Sequence, residues 1–411
     1  MRLIYSFLYT CAFLVSIPYF VIVGLIRGKY LKTVSERMGN IRCSSDRPSI
    51  WIHAVSVGEF LACKSVIKRI RKELNDVPLF VSTTTITGQT LAKQLLPGST
   101  FYFPFDWAWT IRKVLRKIQP NLVLVLETEI WPNFLWTLHS EKIPVLLING
   151  RISDRSLRRY SRIRNWLPKF TECWMQTEED ARRMRSLGGQ EVSVMGNLKY
   201  DFHPSGLSPE FSSMMSSWKG NDLLWVVGST MPGEEKIILE VFKRLKKEIR
   251  MKLLIAPRHP ERFSEVAALI SEFRLPFALR SQNRFEDESI LILDSIGELA
   301  GVYQFADAVL IGGTLMESGG GHNPIEPAFF GKAIIAGPNF SNLRAIFEEF
   351  RKRNAILITS DLAATLKQLL QDPAQRSQLG DAAKTLIEEN AGSSERVMDL
   401  LRRYQNVKCL A

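Results

Sequence analysis

The sequence predicts an α/β protein built from two doubly wound parallel sheets. From residue 50 onward, short apolar runs alternate with segments of helical periodicity, which is the pattern of βαβ units. Several of these runs are apolar throughout, as expected of strands that helices cover on both faces. A chain of 411 residues is also too long for one ordinary core. We therefore predict two domains of the same class.

The first series of strands and helices extends to residue 197. SIWIHAV begins it as a strand, and GEFLACKSVIKRIRKEL follows with the spacing of an amphipathic helix. The next elements are the strand VPLFVST, the helix TGQTLAKQLL, and the strands NLVLVLE, PVLLING, TECWMQT and VSVMGN. The series predicts a parallel sheet in residues 28–204.

A second series starts after a stretch rich in Ser, Pro and Gly. We interpret residues 205–222 as a linker because their composition is typical of loops. The strands LLWVVGS, KLLIAPR, SILILDS, DAVLIGG and AIIAGP follow it. We assign residues 223–395 to a second domain and residues 396–411 to a C-terminal helix.

Residues 3–26 carry no charged side chain and are long enough to span a bilayer as a helix. A cleaved signal peptide is disfavoured because no small-x-small cleavage site closes the apolar run. Arg27, Lys29, Lys32 and Arg37 follow, which places the rest of the chain in the cytoplasm by the positive-inside rule. A helix packed on the soluble body or lying in the interface is the alternative. Residues 1–27 are therefore predicted to be a membrane anchor.

The composition limits the classes of function. A net charge of +12 favours an anionic partner, although a generic basic surface explains it equally well. The five cysteines and five histidines form no Cys-x-x-Cys or His-Glu-x-x-His pattern, so neither a metal site nor a disulfide framework is expected. No nucleic-acid-binding motif accompanies the charge.

In the second domain, polar residues follow the predicted strands. GGTLMESGGGHNPIEP ends a strand and leads through a mobile Gly-rich loop to Asn323 as N-cap and Pro324 at the first helical position. The N–H groups of that helix suit a phosphate, and Glu326 suits ribose hydroxyls. The alternative is that the glycines only allow a tight turn. Arg258 after KLLIAP and Glu298 in SIGEL mark two further strand ends, and WVVGSTMPGEE marks a fourth.

The first domain has its own candidates. Glu59 follows the strand SIWIH in the turn SVGE, as a catalyst or as a helix-start acid. Glu127 and Glu129 follow NLVLVL, and Lys199 in GNLKYD is a candidate cationic partner. The basic stretch RISDRSLRRYSRIRNW suits phosphates of a substrate or an acidic membrane surface. A surface acid pair and a solvated helix face are the alternatives from spacing alone.

Taken together, the motifs resemble those of the 3-deoxy-D-manno-octulosonic acid (Kdo) transferases of lipopolysaccharide synthesis. HAVSVGE, ETEIWPN, GNLKYD, GSTMPGEE, APRHPER, SIGEL and GGHNPIEP occur in the family's order, and the resemblance reaches from the N-terminus to at least Pro338. It implies a GT-B glycosyltransferase with two Rossmann-like domains facing a cleft and a last helix that returns to the first domain.

The resemblance also implies the reaction and its residues. The donor is expected to be CMP-Kdo, the acceptor the lipid A precursor, and the place the cytoplasmic side of the inner membrane, with no tightly bound cofactor or metal. Glu59 matches the general base, and Glu127 and Lys199 match residues that stabilise the transition state. The matching CMP-binding residues are Pro257, Arg258, Ile296, Gly297, Glu298, Asn323, Pro324, Ile325 and Glu326.

Two other functions fit the predicted fold. One is a different GT-B transferase or a nucleotide-sugar epimerase, although a free-standing epimerase needs no anchor. The other is a membrane-tethered protein that binds nucleotide or lipid without turnover. Glu59, Glu127 and Lys199 argue against such a binder.

Overall fold

The computed structural model describes residues 1–27, 33–204 and 206–408. The chain divides into two compact units, one made of Met1–Asp201 with Ala391–Ala411 and the other of Phe202–Asn390. Lys29, Lys32 and Cys409 lie outside the described residues. Cys11, Cys43, Cys63 and Cys173 are free thiols.

The first unit is a parallel sheet with helices on both faces. In its described part, seven strands follow the order β3-β2-β1-β4-β5-β6-β7. The strands are β1 (Ser49–His53), β2 (Leu79–Thr83), β3 (Thr100–Tyr102), β4 (Pro120–Leu126), β5 (Val145–Gly150), β6 (Glu172–Met175) and β7 (Val192–Val194). The helices are α1 (Arg2–Arg27), α2 (Val34–Arg37), α3 (Val57–Ala62), α4 (Lys64–Glu73), α5 (Ile86–Leu95), α6 (Ala108–Ile118), α7 (Pro132–Ser140), α8 (Asp154–Ser161) and α9 (Glu178–Ser186).

The second unit repeats this architecture. Its described strands follow the order β10-β11-β9-β8-β12-β13-β14 and are all parallel. The strands are β8 (Leu223–Thr230), β9 (Met251–Pro257), β10 (Phe277–Leu279), β11 (Ile290–Ile292), β12 (Ala308–Ile311), β13 (Ala333–Ala336) and β14 (Leu357–Ile358). The helices are α10 (Pro209–Lys219), α11 (Glu234–Leu245), α12 (Phe263–Glu272), α13 (Leu299–Val302), α14 (Ile325–Phe329), α15 (Arg344–Lys352), α16 (Leu362–Gln371) and α17 (Pro373–Asn390). The predicted α/β class with two parallel sheets is confirmed.

Side chains that alternate along the strands fill separate cores on the two faces of the first sheet. Trp51 packs with Phe101 and Phe134 on one face, whereas Ile52 and Leu124 belong to the cluster on the other. Burial on both faces explains the continuous apolar runs at residues 122–126 of β4 and 145–148 of β5.

A last helix, α18 (Ser393–Lys408), belongs to the first unit. Val397, Met398 and Leu401 lie in the cluster that contains Ile52. Arg402 forms an ion pair with Glu73 of α4 at 2.6 Å. The unit boundary falls after Asn390, a few residues before the predicted start of the C-terminal helix at residue 396.

The interpretation of residues 205–222 as a linker was wrong, because most of them form α10 in the second unit. Ser208 caps this helix by accepting from the Phe211 N–H at 3.2 Å, and Pro209 occupies the first helical position. Phe211, Met215 and Trp218 are buried, with the i, i+4, i+7 spacing of a helix that packs on a core. The serines between these apolar residues gave the segment the composition of a loop, so the helical periodicity was not recognised in the sequence.

The N-terminal helix α1 packs its first turns on the first unit. The Tyr5 hydroxyl donates to Asp106 at 2.9 Å, and the Trp107 indole donates to Thr10 at 3.0 Å. Phe13 contacts Phe105 edge to face. Among the residues that the structure describes, no helix combines the length and the apolar character needed to cross a bilayer.

Candidate active site

The strand order of the first unit places its candidate residues at a topological switch point. The chain moves outward from β1 to β2 and β3, and then returns to β4 on the other side of β1. In doubly wound sheets, ligands bind where the strand order reverses, at the carboxyl ends of the strands. Glu59 follows β1 and Glu127 follows β4, so both lie at this edge.

Glu59 caps α3 and is also a buried acid. The Ser56 Oγ accepts from the Glu59 N–H at 3.3 Å and donates to Glu59 Oε1 at 3.0 Å, while the Val55 N–H donates to Glu59 Oε2 at 2.7 Å. This arrangement is a variant of the capping box, in which the acid reaches back to the N–H one residue before the cap.

Burial raises the pKa of Glu59 to about 7. The bond from Val55 opposes the shift, and the neighbouring charge of Glu127 adds to it. A carboxylate with a pKa near neutral is suited to accept a proton in general-base catalysis. Capping and catalysis are therefore compatible roles for Glu59.

Glu127 and Lys199 form an ion pair, with 3.8 Å between Lys199 Nζ and Glu127 Oε1. Both side chains are between a quarter and a third exposed, so a ligand can reach them. Glu127 has φ 53°, a left-handed conformation that costs free energy in a non-glycine residue. The predicted partnership of these two residues is observed.

Two asparagines that the sequence reasoning missed hold Lys199 in place. Asn149, at the end of β5, has φ 55° and accepts from the Leu198 N–H at 3.0 Å. Asn197 accepts from the Lys199 N–H, also at 3.0 Å. The Asn-Gly pair that ends PVLLING was the available signal, since Asn tolerates the left-handed region.

Glu129 adds a third acid to the same edge. Burial raises its pKa, and the charge of Glu127 contributes in the same direction, whereas Arg159 of α8 opposes it. The Arg151 N–H donates to the Thr128 hydroxyl at 3.0 Å, which joins the segment after β4 to the start of α8.

In the second unit, the switch point lies between β8 and β12. The backbones approach closely here, because a Cβ on Gly312 would lie 2.3 Å from the Ser229 carbonyl oxygen. Glu234 is fully buried and accepts from the N–H groups of Gly313 and Leu315 at 2.7 and 2.9 Å. Glu234, the first glutamate of GSTMPGEE, therefore holds the loop after β12 in place through these two hydrogen bonds.

The Gly-rich loop at residues 319–321 is packed against its neighbours, which corrects the prediction of a mobile loop. The Gly321 N–H donates to the Gly313 carbonyl at 2.7 Å. Gly320 has φ 72°, and a Cβ there would lie 2.3 Å from Asn342 Nδ2. The glycines serve close packing, a role that the sequence analysis did not consider beside ligand binding and a tight turn.

The predicted helix start at Asn323-Pro324 is shifted by one residue. Pro324 is the N-cap of α14, which begins at Ile325, and Asn323 Oδ1 accepts from the Ile325 N–H at 3.1 Å. Asn323 Nδ2 lies 3.4 Å from Glu326 Oε1. Burial raises the pKa of Glu326. Since α14 has five residues, the helix dipole is a weak source of anion binding.

The remaining predicted residues of this unit surround the same edge. Pro257 ends β9, and Arg258 after it is exposed and acts electrostatically on Glu326 and His322. Burial, with the Arg258 charge, lowers the pKa of His322 to about 4, so this ring is neutral at physiological pH.

Ile296, Gly297 and Glu298 follow β11. Ile296 is 82% exposed, and Gly297 has φ 92°. The Glu298 carboxylate is held by Arg280 at 2.9 and 3.1 Å, a partner that the sequence reasoning missed. Glu298 therefore already has a cation, and its backbone and Ile296 are the parts that remain open to a ligand.

Comparison with known proteins identifies the family to which this chain belongs. The family model described as 3-Deoxy-D-manno-octulosonic-acid transferase (kdotransferase) matches residues 32–202. The 3-deoxy-D-manno-octulosonic acid transferase of Haemophilus influenzae is 32% identical over 97% of this chain and 99% of its own length. The 3-deoxy-D-manno-octulosonic acid transferase of Chlamydophila psittaci is 28% identical over 98% of this chain and 97% of its own length.

Among solved structures, Acinetobacter baumannii MurG aligns with 87% of this chain and 100% of its own, with a TM-score of 0.56. At 12% identity, this likeness concerns the fold alone. It agrees with the GT-B type of α/β fold.

Proposed function

Because this chain belongs to the 3-deoxy-D-manno-octulosonic acid transferase family, it transfers Kdo in lipopolysaccharide biosynthesis, and we propose that CMP-Kdo is its donor and the lipid A precursor lipid IVA its acceptor. The single observation that carries the proposal is Glu59, a buried carboxylate at a topological switch point whose pKa is about 7. The reaction inverts the anomeric carbon and releases CMP.

In the proposed step, Glu59 takes the proton from an acceptor hydroxyl. That oxygen forms a bond to the anomeric carbon of Kdo as the bond from this carbon to the CMP phosphate oxygen breaks. The electron pair of the broken bond leaves with CMP. The capping bonds from Val55 and Ser56 orient the carboxylate before the acceptor arrives.

Lys199 supplies positive charge at the same edge. We propose that its ammonium group stabilises negative charge that develops in the transition state, and that Glu127 is its nearby counter-charge. Both side chains are accessible, as such a role requires.

We assign CMP binding to the edge of the second unit. The exposed Arg258 guanidinium suits the phosphate, and Asn323 and Glu326 offer an amide and a carboxylate to ribose hydroxyls. The exposed Ile296 offers an apolar contact. Pro257, Gly297, Glu298, Pro324 and Ile325 shape the backbone around these groups.

The assay that tests the function supplies purified protein with CMP-Kdo and lipid IVA and follows CMP release and product mass. We expect stepwise gain of Kdo mass on the acceptor. A well-folded protein that forms no product would contradict the substrate assignment and favour the binding protein. Chemical change of the donor without an acceptor would favour an epimerase.

The pKa of Glu59 predicts a pH profile. Since the base must be ionised to accept a proton, kcat should fall tenfold per unit as the pH drops below about 7 and should level off above it. Initial rates at constant ionic strength measure this profile. A rate that stays constant down to about pH 5, near the ordinary pKa of glutamate, would contradict the assignment.

We propose that α1 lies in the membrane interface on the cytoplasmic side of the inner membrane. Leu3, Phe7, Leu8 and Val15 are each at least 60% exposed, although the opposite face of the helix packs on the first unit. Trp109 of α6, 45% exposed, extends this apolar surface. Interfacial helices bury such a face at the boundary between headgroups and acyl chains.

Replacing Phe7 and Leu8 together by glutamate should weaken binding to lipid vesicles by at least about tenfold, because the apolar contact is lost. Co-sedimentation with vesicles that contain anionic lipid measures the effect. The matched control, Lys68→Gln with Lys72→Gln in α4, lowers the net charge by the same two units at residues that are exposed but lie outside the apolar surface. Equal binding by wild type and the α1 variant would contradict the proposed anchor.

We also propose that α8 binds phosphate groups of the acceptor. At 100° per residue, four arginines lie within about 100° of the helix circumference, opposite the buried Tyr160 and the partly buried Leu157. They are Arg155, Arg158, Arg159 and Arg162. Within the described ranges, Arg155, Arg158 and Arg162 pair with no carboxylate. Unpaired guanidinium groups are suited to phosphate.

Arg155→Glu combined with Arg158→Glu should raise KM for the acceptor about tenfold or more and leave KM for CMP-Kdo unchanged. Steady-state kinetics with each substrate varied in turn measures both values. Lys68→Glu with Lys72→Glu controls for net charge. An acceptor from which the phosphates have been removed should bind wild type and variant equally, and a persisting difference would contradict phosphate recognition.

A further inference from the structure

The segment that carries Lys199 is held at both ends by the start of α18. This lysine segment comprises residues 195–201 and follows the edge strand β7. At its first residue, the Met195 carbonyl accepts from the Ser393 hydroxyl at 2.9 Å and from Arg396 Nη1 at 2.7 Å. At its last residue, the Asp201 carboxylate accepts from the Gly392 N–H at 2.6 Å and from the Ser394 N–H.

Asp201 is buried, and the Ser394 N–H belongs to the first turn of the 16-residue helix α18, while the Gly392 N–H lies just before that helix begins. The first N–H groups of a helix have no partner inside it, and the dipole favours a negative charge at that end. The Asp201 carboxylate therefore accepts hydrogen bonds from N–H groups at the start of α18, although it lies about 190 residues earlier in the chain. Removing the carboxylate leaves buried N–H groups without partners.

The position of the Lys199 ammonium group depends more on the backbone of the lysine segment than on the ion pair with Glu127. At 3.8 Å, this ion pair is longer than a tight charged hydrogen bond, so it restrains the lysine side chain weakly. The position of the ammonium group then depends on where the backbone of the lysine segment lies. That backbone is fixed by Asn149 in the sheet and by the two anchored ends.

We infer that Asp201 is a positioning residue for transfer, acting through Lys199 by fastening the lysine segment to α18. The inference rests on the proposed role of Lys199. A displacement of about 1 Å can change the rate of an enzymatic step by about a hundredfold. Loss of the Asp201 anchor should therefore lower kcat with little effect on KM for the donor.

The kinetic test compares Asp201→Ala, Lys199→Ala and the double variant. We expect Asp201→Ala to lower kcat by about tenfold to a hundredfold. In the Lys199→Ala background, the same substitution should change kcat less than about threefold, because the group it positions is gone. An equal loss in both backgrounds would overturn the inference. Asp201→Asn, which keeps one acceptor oxygen, should recover part of the rate.

Glu73→Gln is the matched control. It removes the ion pair of Glu73 with Arg402, which attaches α18 to α4 away from the lysine segment, and the pair with Arg69 within α4. If looser attachment of α18 alone explained the effect, Glu73→Gln would reduce kcat as Asp201→Ala does. We expect it to keep kcat within about twofold of wild type, since exposed ion pairs contribute little.

Hydrogen exchange separates this inference from the proposed function. In Asp201→Ala, the amides of Leu198 and Lys199 should exchange at least about tenfold faster than in wild type, whereas Glu73→Gln should leave them protected. Unchanged exchange in Asp201→Ala would overturn the positioning role. Faster exchange together with full activity of Lys199→Ala would keep the anchor but reject the catalytic role of Lys199.

Discussion

Glu59→Gln is expected to lower kcat by about 10³-fold, with KM for both substrates changed by less than about threefold. Positioned general bases contribute about 10²- to 10⁴-fold to a rate, and glutamine cannot accept the proton. The amide keeps the size of the carboxylate and one oxygen that can accept from the Val55 N–H, which lies 2.7 Å from Glu59 Oε2. CMP release with CMP-Kdo and lipid IVA measures the loss.

Glu129→Gln is the control for this result, because it removes a half-buried acid from the same edge of the sheet. Thermal unfolding of both variants should lie close to that of wild type, which separates lost chemistry from lost structure. Full activity in Glu59→Gln would contradict the assignment of the base. It would direct the search to Glu127 and Glu129.

Arg262→Met is expected to destabilise the second unit by about 3–5 kcal/mol, the usual cost of leaving one partner of a buried ion pair alone. Arg262 donates to the two Glu235 oxygens at 2.7 and 3.1 Å, and the Glu235 side chain is 1% exposed. Glu235 also accepts from the Thr230 hydroxyl, at the end of β8, at 2.7 Å. Denaturant unfolding of the full chain, followed by circular dichroism, measures the change.

The double variant Arg262→Met with Glu235→Met separates charge from packing. Replacing both partners of a buried pair by apolar groups is often close to neutral. The second substitution should therefore restore most of the stability that the first one removes. If the double variant is less stable than Arg262→Met alone, packing rather than an unpaired charge explains the loss.

The alternation of strands and helices was readable from the sequence because parallel strands buried on both faces are apolar throughout. The apolar runs at residues 122–126 of β4, 145–148 of β5 and 223–227 of β8 show this pattern, before polar residues or glycine end β5 and β8. The positions of Glu59 and Glu127 at strand ends followed from the same signal. The pairing of Glu127 with Lys199 was one of two alternatives, which spacing alone left open.

What the sequence did not reveal depends on contacts between distant residues. The Gly-rich loop looked mobile because nothing local shows that Asn342 and Phe340 pack against Gly320 and Gly321. Nothing in LKYD points to the N–H groups of residues 392 and 394 as partners of Asp201. Composition is also a poor guide to short helices, as α10 demonstrates.

The return of the chain to the first unit at Ala391 has a consequence for biosynthesis. The ribosome synthesises Phe202–Asn390 before α18. The second unit can therefore fold while the first unit still lacks α18. Until Ser393 and Ser394 emerge, the lysine segment has neither of its anchors on α18. The nascent chain can therefore form its second unit early, whereas the lysine segment is anchored to α18 only after residue 394 has left the ribosome.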